Sequence, residues 1–216
     1  EYHYRRRIRL QCDKAKRIGF FRPFSHDLVE VDGCLIADGS LNKVIDPLRT
    51  WLNELDTPVE HVEIVTGDDP NEVVAAGQIA GEFIARDDSA CERLIDQGSG
   101  INGLVLYAET WRKEWGRTAV SIRSDDGLCL KVEGDVFTQI NAEGNRKLLR
   151  ELLAAGGFGK SDKLLELYSG AGNFTLSLAK LAQKVVAVES YHRSVDSGKR
   201  SAQLNGIANI RWICAH

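Results

Sequence analysis

The chain has 216 residues, 43% of them hydrophobic and 27% charged, with a formal net charge of −3. These values are typical of a globular protein with one large or two modest cores, and they exclude collagen-like and strongly disordered classes. We find no run long enough to span a membrane and no signal peptide, so no membrane partner is expected.

Five cysteines are scattered along the chain, at Cys12, Cys34, Cys91, Cys129 and Cys214. Their number is odd and none has the spacing of a zinc ribbon or a disulfide framework. We therefore expect no metal site, and a reducing cytoplasm is the expected compartment.

The basic residues are concentrated at the start of the chain. Residues 1–23 carry a net charge of +6, so the other 193 residues carry −9. The alternation in Tyr4–Leu10 predicts a strand with one cationic face, and Phe20, Phe21 and Arg22 place aromatic rings beside positive charge. Such a surface can hold phosphates and stack bases. A solvated edge strand that uses charge against self-pairing explains the same pattern, and charge alone does not decide between the two.

Residues 1–134 predict an α+β domain with a largely antiparallel sheet. The expected strands lie near residues 4–10, 17–21, 28–31, 61–65, 73–79, 104–107, 119–122 and 128–132. Two helices are expected at residues 44–55, started or kinked near Pro47, and at residues 89–97.

From about residue 135 the pattern changes to alternating helices and strands, which predicts a parallel α/β sheet. A helix is expected at Asn141–Ala155, where Asn141 is a candidate N-cap. Leu164–Leu167 predicts a strand buried on both faces. Further strands are expected at Val185–Val188 and Ile210–Ile213, each preceded by a helix.

A glycine turn follows the first of these strands. Gly170 and Gly172 allow a sharp turn and close approach of a ligand, because neither carries a Cβ atom. Glu189, at the tip of the neighbouring strand, is placed to accept hydrogen bonds from the hydroxyls of a ribose. A purely structural turn is the alternative.

The turn favours one nucleoside cofactor over others. A pyrophosphate-binding turn needs a third glycine, and Asn173 follows Gly172 instead. The GKS sequence at Gly159–Ser161 is not a P-loop, because that pattern requires a glycine five residues before Gly159, where Ala154 stands. S-adenosylmethionine carries a ribose without a phosphate and fits what remains.

Several motifs, in the same order along the chain, resemble the RNA uracil-C5 methyltransferase family, which makes 5-methyluridine in rRNA or tRNA. They are Phe137–Asn141, Leu165–Phe174, Ala187–Glu189 and Ala202–Ile207 with Asn209, preceded by weaker matches at Tyr4–Leu10, Gly19–Phe20 and Val29–Cys34. The resemblance covers nearly the whole chain and is weak between about residues 42 and 115. It implies an RNA partner, rRNA more than tRNA, for the basic N-terminal region.

The resemblance also implies site residues. Those for S-adenosylmethionine are Gln139, Tyr168, Gly170, Gly172, Asn173 and Glu189. Candidates for RNA binding are Arg5, Arg7, Arg9, Lys14, Arg17, Arg22 and Phe137. Phe137 either stacks on a uracil that has left its helix or packs in the core. His216 falls near the adenine position, where the family often has Asp or Asn.

No catalytic residue can be assigned. The family is understood to use a cysteine thiolate from a downstream Ser-Cys-Asn-Pro segment, which follows an Asp-Pro motif. Neither motif follows the third parallel strand in this sequence, so we expect these 216 residues alone to be inactive. Cys34 is either a structural cysteine or one ligand of an iron-sulfur cluster whose other ligands would precede residue 1.

The resemblance implies a class I methyltransferase sheet, which usually has seven strands with the first one central. The sequence supplies three parallel strands, so the chain is either a fragment or is completed by a partner or swapped segment. We expect an RNA-contacting domain at residues 1–134 and half of a cofactor-binding domain at residues 135–216. The alternatives are a methyltransferase for a small molecule or protein, and a non-catalytic RNA-binding module.

Overall fold

The computed structural model describes residues 2–96 and 98–215. The chain divides into two compact units, Glu1–Val120 and Ser121–His216. No helix within the described ranges combines the length and the apolar character needed to cross a bilayer.

The first unit is built on a seven-stranded sheet. Its strands are β1 (Arg7–Cys12), β2 (Ile18–Phe21), β3 (Leu28–Glu30), β4 (Val59–Thr66), β5 (Val73–Ile79), β6 (Gly103–Tyr107) and β7 (Arg112–Gly116). They lie in the order β3-β2-β1-β4-β5-β6-β7. Every neighbouring pair is antiparallel except β5 and β6, which are parallel. The prediction of a mainly antiparallel α+β unit is confirmed.

Helices cover one face of this sheet. They are α1 (Gly39–Lys43), α2 (Ile45–Glu54) and α3 (Asp88–Asp96), the last preceded by a short 3-10 turn at Ala85–Asp87. Leu48 and Leu52, one turn apart on α2, are buried in the same cluster as Ile8 and Leu10 of β1. The apolar residues that alternate along β1 therefore pack in one core with those that lie on one face of α2.

The strand β7 was missed from the sequence. It contains three charged residues and a tryptophan, without the β-branched alternation that marks a strand. Trp115 nevertheless joins the core, and its indole nitrogen donates to a carboxylate oxygen of Asp88 at 2.8 Å. Tertiary contacts of one aromatic side chain thus hold a segment whose local propensity is poor.

The second unit contains a two-stranded and a three-stranded sheet. Its elements are β8 (Ala119–Arg123), which begins two residues before the boundary, β9 (Cys129–Glu133), α4 (Ala142–Gly156), β10 (Lys163–Leu167), α5 (Thr175–Leu181), β11 (Lys184–Glu189), α6 (His192–Leu204) and β12 (Ile210–Cys214). β8 pairs with β9, while β10, β11 and β12 form a parallel sheet with β11 in the centre. The predicted parallel α/β arrangement is confirmed.

The boundary between the units lies 14 residues earlier than the expected one at residues 134 and 135. The side chain of Asn205, the C-cap residue of α6, accepts from the backbone nitrogen of Cys129 at 2.9 Å and donates to the carbonyl oxygen of Cys129 at 2.7 Å. The hydroxyl of Ser201 accepts from the nitrogen of Lys131 at 2.9 Å. Two polar side chains of α6 therefore hold β9 in the second unit, a pairing that strand periodicity does not reveal.

The caps of α4 agree with the sequence. Asn141 accepts a hydrogen bond from the backbone nitrogen of Gly144 at 2.9 Å, which confirms it as the N-cap. Gly157 ends the helix in the left-handed conformation, with φ of 59°.

The expectation that β10 is buried on both faces is wrong. Leu165 is 66% exposed and Leu167 is 58% exposed, whereas Val185 and Ala187 of β11 are fully buried. Apolar residues of α5 and α6 pack on one face of the sheet, against Val185 and Ile210. No described element covers the face that carries Leu165 and Leu167, and β10 is an edge strand among the described residues.

Gly19 generates the first prediction, because β2 and β3 approach too closely there for a side chain. A Cβ atom at Gly19 would lie 1.9 Å from the carbonyl oxygen of Val29 on the opposite strand. We expect Gly19→Ala to lower the free energy of unfolding by about 1–3 kcal/mol, since backbone has to move. Urea unfolding of the two proteins measures this. Gly39→Ala is the matched control, because a Cβ there meets nothing within 4 Å; equal losses in both variants would contradict the prediction.

Candidate functional site

Glu189 joins three structural elements at the carboxyl end of the parallel sheet. One of its carboxylate oxygens accepts from the backbone nitrogen of Gly170, in the turn after β10, at 2.9 Å. The other accepts from the nitrogen of Tyr191, just before α6, at 2.9 Å. The predicted glycine turn and the predicted acidic strand tip are therefore in direct contact.

These contacts set the charge of Glu189. Burial alone would raise the pKa of this carboxyl, but hydrogen bonds from the backbone nitrogens of Tyr191, Gly170 and Ser190 hold it below its ordinary value. Glu189 is thus an ionised, oriented acceptor at neutral pH. Each carboxylate oxygen has more than one acceptor direction, so the group can also accept hydrogen bonds from ligand hydroxyls.

The two glycines of the turn have different surroundings. Gly170 has a φ of 58°, and a Cβ added there would meet nothing within 4 Å. Gly172 has a φ of 90°, and its Cβ would lie 2.8 Å from the indole ring of Trp212. The open space expected beside both glycines therefore exists beside Gly170, whereas Gly172 is required by the packing of Trp212.

The same indole ring also needs Gly198 on α6. A Cβ at Gly198 would lie 2.3 Å from the Trp212 ring. Trp212 thus packs on two glycines that are distant in sequence, and no local pattern indicates this.

Tyr168 and Asn173 stand on either side of the glycine turn. Tyr168 is 89% exposed and has a φ of 58°, a conformation that is strained for an aromatic residue. Asn173 exchanges two hydrogen bonds of 2.8 Å with the side-chain amide of Asn145 on α4. The side chain of Asn173 therefore positions the turn against α4.

The segment before α4 presents Phe137, which is 65% exposed, and Gln139, which is also exposed. Core packing is excluded for the Phe137 side chain in the described structure. Thr138 between them is buried, and its hydroxyl has no hydrogen-bond partner within residues 2–96 and 98–215.

Ser169, in the turn itself, is another buried residue whose hydroxyl lacks a hydrogen-bond partner among the described residues. Buried hydroxyls are normally hydrogen-bonded, so unpartnered ones mark places where a ligand or water completes the set. The space beside Gly170 and the oriented Glu189 fit a polar nucleoside, whereas the two hydroxyls are enclosed by the fold. Sequence reasoning missed both of them.

Glu166 is a further residue that sequence reasoning missed. It lies on β10 within an otherwise apolar run, and the hydroxyl of Thr175 donates to its carboxyl at 2.6 Å. Burial raises the pKa of Glu166 to about 7, although the hydrogen bond from Thr175 acts in the opposite direction. A carboxyl inside an apolar strand was the available sequence signal.

The structure separates the predicted RNA-binding cations of the first unit into two groups. Arg7 is 7% exposed and ion-paired with Glu63 at 3.0 Å, while Arg9 also bonds Glu63, at 2.7 Å. Arg17 pairs with Asp13, whose carboxylate accepts from its guanidinium at 2.8 Å. The single carboxylate of Glu63 on β4 thus offsets one of the two charges of Arg7 and Arg9, so the cationic face predicted for β1 is partly ion-paired.

The other predicted cations have different environments. Arg5 is half-buried, whereas Lys14 and Arg22 are exposed. Neither Lys14 nor Arg22 forms a side-chain hydrogen bond or ion pair with any part of the chain that the structure describes. These two are the cations most accessible to a phosphate.

The cysteines are dispersed in the fold. Burial raises the pKa of both Cys12 and Cys91 to about 12, so they remain thiols. The backbone of Cys34 is bonded at both ends by the side-chain amide of Asn42. Over residues 2–96 and 98–215, no group of three His, Cys, Asp or Glu side chains could hold a metal ion. The predicted contact of His216 lies outside the described residues.

Comparisons with known proteins decide the family. Residues 112–215 match the family model described as tRNA (Uracil-5-)-methyltransferase. A 23S rRNA (uracil(1939)-C(5))-methyltransferase from Aeromonas hydrophila is 33% identical over 222 residues, covering 98% of this chain and 49% of the relative. The chain belongs to the RNA uracil-C5 methyltransferase family. A Vibrio cholerae protein of the same description is 32% identical and is matched over 100% of this chain and 49% of its own length.

The fold agrees with this assignment. The structure of a Pyrococcus abyssi tRNA (uracil-54, C5)-methyltransferase in complex with S-adenosyl-L-homocysteine matches with a TM-score of 0.75 at 17% identity. The match covers 100% of this chain and 56% of that one. It confirms the class I, Rossmann-like fold predicted for the second unit. The chain spans about half the length of the curated relatives it matches.

The raised pKa of Glu166 generates the second prediction. The ordinary pKa of a glutamate carboxyl is 4.5, and that of Glu166 in the folded protein is about 7. Between these two pH values the folded protein keeps a proton on Glu166 that the unfolded chain releases. The contribution to stability is therefore fully present below pH 4.5 and lost as the pH rises through 7. Glu166→Gln keeps an acceptor for Thr175 and should remove this pH dependence, so the variant gains stability over the wild type at pH 8.

Urea unfolding at pH 5.5 and pH 8 measures this difference. Glu151→Gln, at an exposed position on α4, controls for the loss of one negative charge. Parallel stability profiles for the wild type and Glu166→Gln would show that Glu166 is not the titrating group.

Proposed function

We propose that the protein transfers a methyl group from S-adenosylmethionine to C5 of a uridine in RNA. The observation that supports this best is the contact between Glu189 and the turn at Gly170, in a chain of this family. S-adenosylmethionine would supply the methyl group. The residues of the second unit bind and orient it.

Each side chain of the site has a distinct part in this proposal. The carboxylate of Glu189 accepts the ribose hydroxyls, since its own backbone contacts already hold it in an ionised, fixed position. The space beside Gly170 admits the cofactor. Tyr168 and Gln139 are exposed beside the turn and before α4, where they can cover the cofactor.

RNA is the proposed substrate, and rRNA is favoured over tRNA. The relatives from Aeromonas hydrophila and Vibrio cholerae are described as acting on 23S rRNA, whereas the family model and the structural relative refer to tRNA. The first unit, through Lys14 and Arg22, would contact the phosphates. Phe137 is exposed in the second unit and is a candidate to stack on the target uracil.

The thiolate that would attack C6 of uracil is not assigned to any residue of this chain. Cys12 and Cys91 are held as thiols by burial, which removes them as nucleophiles at neutral pH. The Ser-Cys-Asn-Pro segment of the family is absent from the 216 residues. These residues alone should therefore bind cofactor and RNA without completing the transfer.

The third prediction tests the cofactor site. Glu189→Ala removes the proposed acceptor of both ribose hydroxyls, and charged hydrogen bonds of this kind are worth about 1.5–3 kcal/mol each. Affinity for S-adenosylhomocysteine, measured by isothermal titration calorimetry on the complete gene product, should fall about 10- to 100-fold or more. Glu151→Ala on α4 is the control. Equal affinities of wild type and Glu189→Ala would refute the site.

The fourth prediction tests RNA as the substrate. The logarithm of the RNA affinity should fall linearly with the logarithm of salt concentration, because bound cations release counterions from the phosphates. Lys14→Gln should make that slope shallower by about 1 if Lys14 contacts one phosphate. Arg17→Gln is the control, since Arg17 is already paired with Asp13. Affinity that is independent of salt would favour a substrate other than RNA.

A further inference from the structure

The turn between β2 and β3 carries a fully exposed aromatic side chain. Phe24 is 109% exposed, the highest value among the large hydrophobic residues of the described chain. A buried phenylalanine stabilises a fold, whereas an exposed one adds nothing to it. The fold therefore gives no reason for a phenylalanine at this position.

The backbone conformation at Phe24 is also unfavourable for a phenylalanine. Its φ is 58°, in the left-handed region that glycine and asparagine adopt readily. A strained bulky residue costs of order 1–3 kcal/mol and persists where the surroundings enforce it, often at functional sites. Glycine here would fold more easily, yet the chain has an aromatic ring.

Hydrogen bonds keep this turn in one conformation. The backbone nitrogen of Ser25 donates to the carbonyl of Arg22 at 3.1 Å, which closes a four-residue turn around Pro23 and Phe24. The nitrogen of Arg22 donates to the carbonyl of Asp27 at 3.0 Å, and the Ser25 hydroxyl accepts from the nitrogen of Asp27 at 2.9 Å. Proline before a residue of positive φ is the pattern of a type II turn, so the ring is displayed on a rigid support.

The charges around the ring indicate what it would contact. Between Lys14 and His26 the sequence has four basic residues and no acidic one. Arg22, two residues from Phe24, is exposed and has no ion pair among the described residues. Behind them, Phe21 packs edge-on against His26, with ring centroids 5.3 Å apart. An exposed ring beside a free guanidinium matches a nucleotide, whose base stacks while its phosphate takes the charge.

We infer that Phe24 is a stacking platform for an unpaired base of the RNA substrate, with Arg22 on an adjacent phosphate. This inference rests on the proposed function and adds to it a specific contact, at the tip of the β2–β3 hairpin. It also specifies the substrate, because a ring can stack on a base only where that base is free of its own helix. Phe24 belongs to the first unit, whereas Phe137 and the cofactor turn belong to the second.

The test is fluorescence anisotropy of the complete gene product with an unstructured 20-nucleotide RNA and with a duplex RNA of the same length. Phe24→Gly should weaken binding of the single strand about 5- to 100-fold. Phe24→Leu should lose most of the same affinity, because it is apolar but has no aromatic face. Phe24→Trp should bind as well as the wild type. The duplex should bind more weakly and respond little to any of the three.

Loss of folding should not cause the weaker binding of Phe24→Gly, because glycine adopts the positive φ readily. This variant should have an unchanged or higher thermal midpoint of unfolding. Phe24→Gly should keep the salt slope of the wild type, whereas Arg22→Gln should reduce it by about 1. Wild-type binding that Phe24→Gly leaves intact would overturn the stacking role and leave the proposed function standing. Absence of RNA binding by the wild type would overturn both. Binding to phosphatidylserine vesicles that requires Phe24, with RNA binding unchanged, would identify the ring as a membrane contact instead.

Discussion

The carboxylate of Glu189 is the interaction on which the cofactor end of the second unit depends. It accepts from Gly170 in the turn after β10 and from Tyr191 at the start of α6, so it links these two segments directly. A neighbouring bond, from the nitrogen of Ser169 to the carbonyl of Val188, extends the β10–β11 register into the turn. The acceptor proposed for the ligand is therefore also the group that shapes its pocket.

Much of this arrangement could be predicted from the sequence, because the signals are local. Short apolar runs, glycines and an acidic strand tip specify a strand-turn-helix-strand unit, and the motif order indicates the family. The second unit's earlier start could not be predicted, since it depends on Asn205 and Ser201 reaching β9 across about 70 residues of chain. The exposed face of β10 could not be predicted either, because an apolar run gives the polarity of a strand and not the elements that pack on it.

In the basic N-terminal region, the number of basic residues overstates the number of cations that are free to bind a phosphate. Arg7 and Arg9 converge on Glu63 of a strand more than fifty residues later, and Arg17 is held by Asp13. Pairing of this kind becomes visible only when the strand order is known. Conversely, the interpretation of Phe24 as a binding residue depends on its positive φ and on the exposure of its ring. Neither of these can be predicted from the amino-acid composition. The sequence therefore predicts the fold more accurately than it predicts the ion pairing and exposure of individual side chains.

The contact of Trp212 with Gly172 and Gly198 has an experimental consequence. Trp51, Trp111 and Trp115 all lie in the first unit, which leaves Trp212 as the single indole of residues 121–215. Its ring touches the very turn that would close around an adenosine, so its emission wavelength and lifetime should sense occupancy of that turn. The protein carries its own optical probe, and a form that retains only this fluorophore would allow ligand entry to be followed in real time without a label.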